Sequence, residues 1–287
     1  MVKYLTVIKN VAYFPSQCAL NSQPVMSAVL DSLQAQGIVT QENSMHADAA
    51  VIWSALWAGR MRDNLAVYEH YRQQGRPVIF VEVGALHRDH TWKIAVNNIT
   101  SAGYYGHTDQ LDWDRPSKLQ IKLANPKQTQ PHILVALQHT QSLQLADVDY
   151  VSWILNTVQQ IQNHTDRCII LRPHPRCRIP QALLFSGTKI QQPAKLPNTY
   201  DSFDIGYDCH AVVNLNSGPG IQAAIAGIRP VVADSSLAAP VSINLADIEQ
   251  PYNVDRDLWL TQICHTEYTV EEIKRGLWIK RLEPALT

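Results

Sequence analysis

Apolar residues in this chain fall in short runs separated by polar or amphipathic stretches, and the spacing of those runs defines its elements. Residues 5–8 (LTVI) read as a buried first strand, and residues 24–36 as a helix stopped at Gly37. Residues 49–53 (AAVIW) form a second strand, residues 60–74 a polar helix ending at Gly75, and residues 77–81 (PVIFV) a third strand. From about 100 to 130 the chain is polar and irregular, with Gly103, Gly106, Asp112, Asp114, Pro116, Pro126 and Pro131, and reads as a linker. The alternation then restarts. Strands are predicted at 133–137, 168–171, 211–214 and 229–233, and helices at 148–163 and 221–226. The tail at 269–282 reads as a helix that Thr269 caps, with Glu272 closing a capping box.

Strands that alternate with helices predict parallel sheets with right-handed crossovers. The expected fold class is therefore α/β, with two Rossmann-like lobes and a cleft between them. The expected domains are 1–125 and 126–287, with the last helix free to pack back on the first domain. Ligands in such sheets sit beyond the carboxyl ends of the strands.

Composition narrows the class. The chain has 287 residues, 46% hydrophobic and 17% charged, which suffices for a substantial core and argues against disorder. A formal net charge of −1 carries no global signature of nucleic-acid binding. Five cysteines without a CxxC pair predict free thiols in a reducing cytosol, with neither a disulfide framework nor a zinc ribbon. The first apolar run is too short for a signal sequence, and no stretch is long enough to span a membrane.

Four constellations could carry chemistry. The first, from Asn214 to Ala224, joins a strand to a helix through Asn216, Ser217, Gly218, Gly220 and Gln222, where small residues and free N–H groups suit an oxyanion. A tight structural turn is the alternative. In the second, Arg172-Pro173-His174-Pro175-Arg176, two prolines extend the loop, and Arg172, His174 and Arg176 offer donors for phosphate. The alternative is a satisfied histidine among solvated arginines. The third follows residue 81 and gathers Glu82, His87 and Asp89 as candidate general bases. Its alternative is a surface loop in which Glu82 pairs with Arg88. The fourth contains Trp53, Trp57 and Arg60: the indoles could stack on a sugar or base and the arginine could meet a phosphate, against core packing for at least one tryptophan.

The strings RPHPR at 172–176 and NSGPGIQAAIAGIRPVVAD at 216–234 resemble GT-B nucleotide-sugar glycosyltransferases, most closely capsule-polysaccharide and sialyltransferase-like proteins. The resemblance implies that His174 contacts the donor nucleotide and Ser217 its phosphate. Many such enzymes hold the ribose with a glutamate where Gln222 stands here. The strings VIWSALWAGRM, VEVGALHRDHTWKIAVNNI and HTEYTVEEIKRGLWIKRL resemble glycosyltransferase-like proteins of phage genomes. Phage enzymes of this fold glycosylate hydroxymethylated bases in DNA. The implied activity is metal-independent transfer from a UDP-sugar, or alternatively a CMP-sugar, to a hydroxymethylated pyrimidine of DNA in the infected host's cytoplasm. A surface glycan as acceptor and a non-catalytic binding module are the rivals, and no further cofactor is implied.

Overall fold

The computed structural model describes residues 8–127, 129–179, 181–185, 187–197, 203 and 207–286. The chain divides into two compact units, Met1–Arg115 with Gln262–Thr287, and Pro116–Thr261. The strand expected at 5–8 falls, except for Ile8, outside the described residues.

The first unit contains β1 (Asn10–Tyr13), β2 (Val39–Glu42), β3 (Ala49–Trp53), β4 (Val78–Val83) and β5 (Trp92–Val96). The second contains β6 (His132–Ala136), β7 (Cys168–Arg172), β8 (Lys189–Ile190), β9 (Ala211–Val213) and β10 (Arg229–Val231), and β11 (Glu267–Tyr268) returns to the first. The helices are α1 (Gln23–Ala35), α2 (Asn64–Gln73), α3 (Arg115–Lys118), α4 (Tyr150–His164), α5 (Gly218–Ile225), α6 (Asp257–Cys264), α7 (Val270–Lys274) and α8 (Leu277–Leu282).

The first sheet runs β11-β5-β4-β3-β1-β2. Its β1 to β4 pair in parallel, but β5 and β11 are antiparallel additions that the simple alternation does not predict. Strand direction reverses where the β4–β5 connection is too short for a crossover helix. Strand order changes direction between β1 and β3, which makes that pair the unit's switch point. Helix α1 buries Val25, Met26, Val29 and Leu33, and Gly37 at φ 76° ends it in a conformation that favours glycine. The polar helix begins at Asn64, later than expected, after a 3₁₀ turn at Gly59–Met61. The tail helix is broken into α7 and α8 at Gly276, φ 71°, while its Thr269–Glu272 capping box is present. In α8, Trp278 is wholly buried, and its indole N–H donates to Ser32 Oγ of α1 at 3.1 Å.

The second sheet is all parallel, in the order β10-β9-β6-β7-β8. In chain order within the unit this is the Rossmann sequence 3-2-1-4-5 read from the other edge, with its switch point between β6 and β9. Both faces of β6 are covered. Ile133 and Val135 pack with Ile154 and Ile161 of α4, and Leu134 and Ala136 with Ala223 and Ile228. Burial on two faces explains why this strand reads as an unbroken apolar run. Helix α5 starts at Gly218, three residues before its apolar positions begin.

Candidate functional site

At the carboxyl edge of the second sheet three loops leave neighbouring strands. β6 is the middle strand, with β7 on one side and β9 on the other, so the loops after β7 and β9 start roughly 10 Å apart. Beyond β7, Arg172 Nη2 donates to Gln191 Oε1 at 2.6 Å. His174 is half-buried, and its Nδ1 accepts the Arg176 N–H at 3.2 Å. Beyond β9, half-buried Ser217 is the N-cap of α5 and makes no side-chain cap bond. Asn214 Nδ2 instead fixes it, donating to Ser217 O and to Ser217 Oγ, each at 3.1 Å. A methyl group on Gly220 would lie 2.7 Å from Val232 Cγ1 and 2.9 Å from Asn214 Oδ1, so only glycine fits this first turn.

Two residues expected to touch donor are committed to the protein. Asn216 is buried: Gln138 Nε2 donates to its Oδ1, and its Nδ2 donates to Ser235 Oγ and Gln144 O. Its geometry suits shaping the turn. Gln222 Oε1 accepts the Tyr207 hydroxyl at 2.6 Å, which fixes the side chain.

Sequence reasoning missed the loop after β6. There the Tyr150 hydroxyl accepts the Gln138 N–H at 2.5 Å, and His139 stands edge-on to His174 with ring centroids 5.1 Å apart. Among the described residues, His139, His174 and Cys177 bring one ligand-type atom each to within 4.8 Å of one another. No CxxC or HxxH spacing flags this trio, because its members come from two loops. A shallow hollow around Arg167 and Glu249 lies before β7, at the opposite edge of the sheet from these loops.

In the first unit, the expected loop at 82–90 is a built structure. Glu82 Oε2 accepts Ser54 Oγ at 2.8 Å and the Ala55 N–H at 3.0 Å, and Oε1 accepts the Val83 N–H at 2.9 Å. These bonds hold the carboxylate. Ser54 has φ 67°, an uncommon conformation for a residue with a side chain and one that clusters at functional positions. His87 and Asp89 are exposed. The His87 ring lies 4.2 Å from that of His90, and Asp89 has φ 66°.

Behind this loop runs a row of charge the sequence does not announce. Lys93 of β5 is the register partner of Glu82 on one side and of Glu267 on the other. Burial lowers the Lys93 ammonium from its ordinary range, and the Glu267 and Glu82 carboxylates oppose that shift. Glu267 is itself fully buried and accepts the Ala85 N–H at 2.7 Å, the Leu86 N–H at 3.1 Å and Thr91 Oγ1 at 2.7 Å.

The fourth constellation divides. Trp53 is 3% exposed and belongs to the core, which removes it as a contact for acceptor. Trp57 is half-buried beside Tyr68 and Phe80. Exposed Arg60 donates from Nε to Cys18 O at 3.0 Å. Asn64 donates to both Trp53 O and Gln17 O, tying the loops after β1 and β3 together at the switch point. All five cysteines are free thiols. Among the described residues no helix is long and apolar enough to cross a membrane.

Taken singly, each unit is a Rossmann-like sheet, and the chain has a GT-B-like fold. Among solved structures, it is similar to a KpsC beta Kdo 2,4 transferase of Thermosulfurimonas dismutans, with 10% identity, TM-score 0.50, 94% of this chain and 98% of that one. A KpsC beta Kdo 2,7 transferase of the same organism aligns at 14% identity and TM-score 0.48, covering 93% of this chain and 99% of that one. No family model matches the chain. No curated protein matches it in sequence.

Proposed function

We propose that this protein is a metal-independent glycosyltransferase that binds a nucleotide sugar on its second unit. The observation that carries this reading is the meeting of the His174 loop and the Ser217 turn at one sheet edge, on either side of β6. Arg172, His174 and Arg176 supply charge and donors. Ser217, Gly218 and Gly220 open a helix whose amino end favours an oxyanion. Together they stabilise the negative charge that develops on the leaving nucleotide. A UDP-sugar is the first donor to test and a CMP-sugar the second.

The first unit takes the acceptor, with Trp57 and Arg60 at its switch point. Of the three candidate bases, Glu82 is favoured over His87 and Asp89, because Ser54 and two backbone N–H groups hold its carboxylate at the end of β4. A glycan acceptor is favoured by the fold shared with a Kdo transferase and by the net charge of −1. A hydroxymethylated pyrimidine of phage DNA is the second reading, favoured by the phage-like strings. Either reading suits a cytoplasmic enzyme, where free thiols persist.

Thermal unfolding with UDP-, CMP- and GDP-sugars tests the donor. A ligand at a hundred times its Kd stabilises by ~2.7 kcal/mol. Silence from all three overturns the proposal. Transfer assays on glycans and on hydroxymethylated DNA then choose the acceptor, and Glu82→Gln is expected to lower kcat ~100-fold while leaving donor binding intact.

A further inference from the structure

The trio of His139, His174 and Cys177 has the composition of a transition-metal site. Its hydrogen bonds point elsewhere. The Gln141 N–H donates to His139 Nδ1 at 3.1 Å, and the Arg176 N–H donates to His174 Nδ1 at 3.2 Å. A ring nitrogen that accepts a backbone N–H carries no hydrogen of its own, so in each neutral imidazole the hydrogen sits on Nε2. Metal-bound histidines show the reverse arrangement, in which the nitrogen away from the metal donates to an oxygen. Both rings are thus set as Nε2–H donors at the same strand edge, 5.1 Å apart, in a loop cluster that also carries Arg172 and Arg176.

We propose that His139 is a second imidazole donor to the phosphate of the nucleotide, paired with His174, and that this pair receives an oxyanion rather than a metal ion. The inference rests on the donor reading above and extends it to a residue that no sequence string marks. Its position fits. His139 follows β6 at the switch point between β6 and β9, where open α/β sheets take their ligands. Protonating Nδ1 would set it against the Gln141 N–H, and burial, then the nearby Arg176, disfavours the charged ring. A neutral imidazole still donates from Nε2, so the contact does not depend on charging the ring.

The test is calorimetric titration of the whole chain with inorganic pyrophosphate, UDP, CMP and uridine, with Co²⁺ as the metal probe. His139→Ala is expected to weaken pyrophosphate and UDP about tenfold, the loss of one donor to an anion. His139→Gln, whose amide N–H can stand where Nε2 stands, is expected to recover binding to within about threefold. Uridine binding should be the same in all three proteins. If His139→Ala binds pyrophosphate and UDP as the native chain does, this inference fails and the donor reading survives. If pyrophosphate, UDP and CMP all fail to bind the native chain, both fall. Tight Co²⁺ uptake with thiolate charge-transfer absorption, lost in Cys177→Ser, makes the trio a metal site and overturns the inference.

Discussion

Gln138 and Asn216 are joined by a reciprocal pair of hydrogen bonds: Gln138 Nε2 donates to Asn216 Oδ1 and the Asn216 N–H donates to Gln138 Oε1, each at 3.0 Å. Both residues are buried, and the pair spans the switch point of the second unit. It sets the distance between the loop that carries His139 and the turn that carries Ser217. Asn216→Ala leaves Gln138 Nε2 without its acceptor and is expected to cost ~1–3 kcal/mol. A double-mutant cycle with Gln138→Leu, read by urea unfolding, should show a coupling of about 1 kcal/mol or more. Additive losses would mean that the pair does not act as a unit.

Gly220 tests the turn itself. Gly220→Ala forces a methyl group against Val232 and Asn214 and is expected to destabilise by ~1–3 kcal/mol, against the usual gain from replacing a helical glycine. Nucleotide titration of the variant, at a temperature where it is still folded, should show weakened binding, because the displaced Asn214 no longer holds Ser217.

How much of this could be read from the chain depended on how local each cause was. The strand at Ala49–Trp53 and the Thr269–Glu272 capping box follow from neighbouring residues, and the structure has both. By contrast, β11 is two residues long and owes its place to pairing with β5, 170 or so positions away. No local pattern marks Glu267 as the anchor of the 84–91 loop, nor Lys93 as the charge between two carboxylates. Trp53 misled for a related reason. An aromatic at a strand end can face ligand or core, and which one holds is set by the helices packed over it. His174 and Ser217 were visible as strings, whereas His139 became interesting only once strand order put β6 between them.

Glu267 should be among the costliest carboxylates to remove. Glu267→Ala orphans the N–H groups of Ala85 and Leu86 and leaves Lys93 with less compensating charge. Breaking such a buried arrangement is expected to cost ~3–5 kcal/mol. Hydrogen exchange should show the amides of 84–91 opening first. Native-like protection of that loop in the variant would refute the anchoring role.

Acid should act on the second unit through Glu249. Its carboxylate pKa is held down at about 2, first by hydrogen bonds from Arg167, then by the Thr165 hydroxyl and the Arg167 charge. The folded value lies below the unfolded one, so the contribution is complete above the ordinary carboxylate pKa of about 4.5 and is lost as pH falls from there toward 2. Part of this is screened by solvent, since the side chain is 40% exposed. Glu249→Gln should flatten the stability–pH profile between pH ~5 and ~2 relative to the native chain. An unchanged slope would assign the acid sensitivity to other groups.

The return of the last residues to the first unit imposes an order on biosynthesis. Every residue of 116–261 is made before Glu267 or Trp278. The second unit is therefore complete while the first still lacks a sheet edge and an indole of its core. A chain ending at residue 261, released from the ribosome, should protect the former from protease and leave the latter open to it.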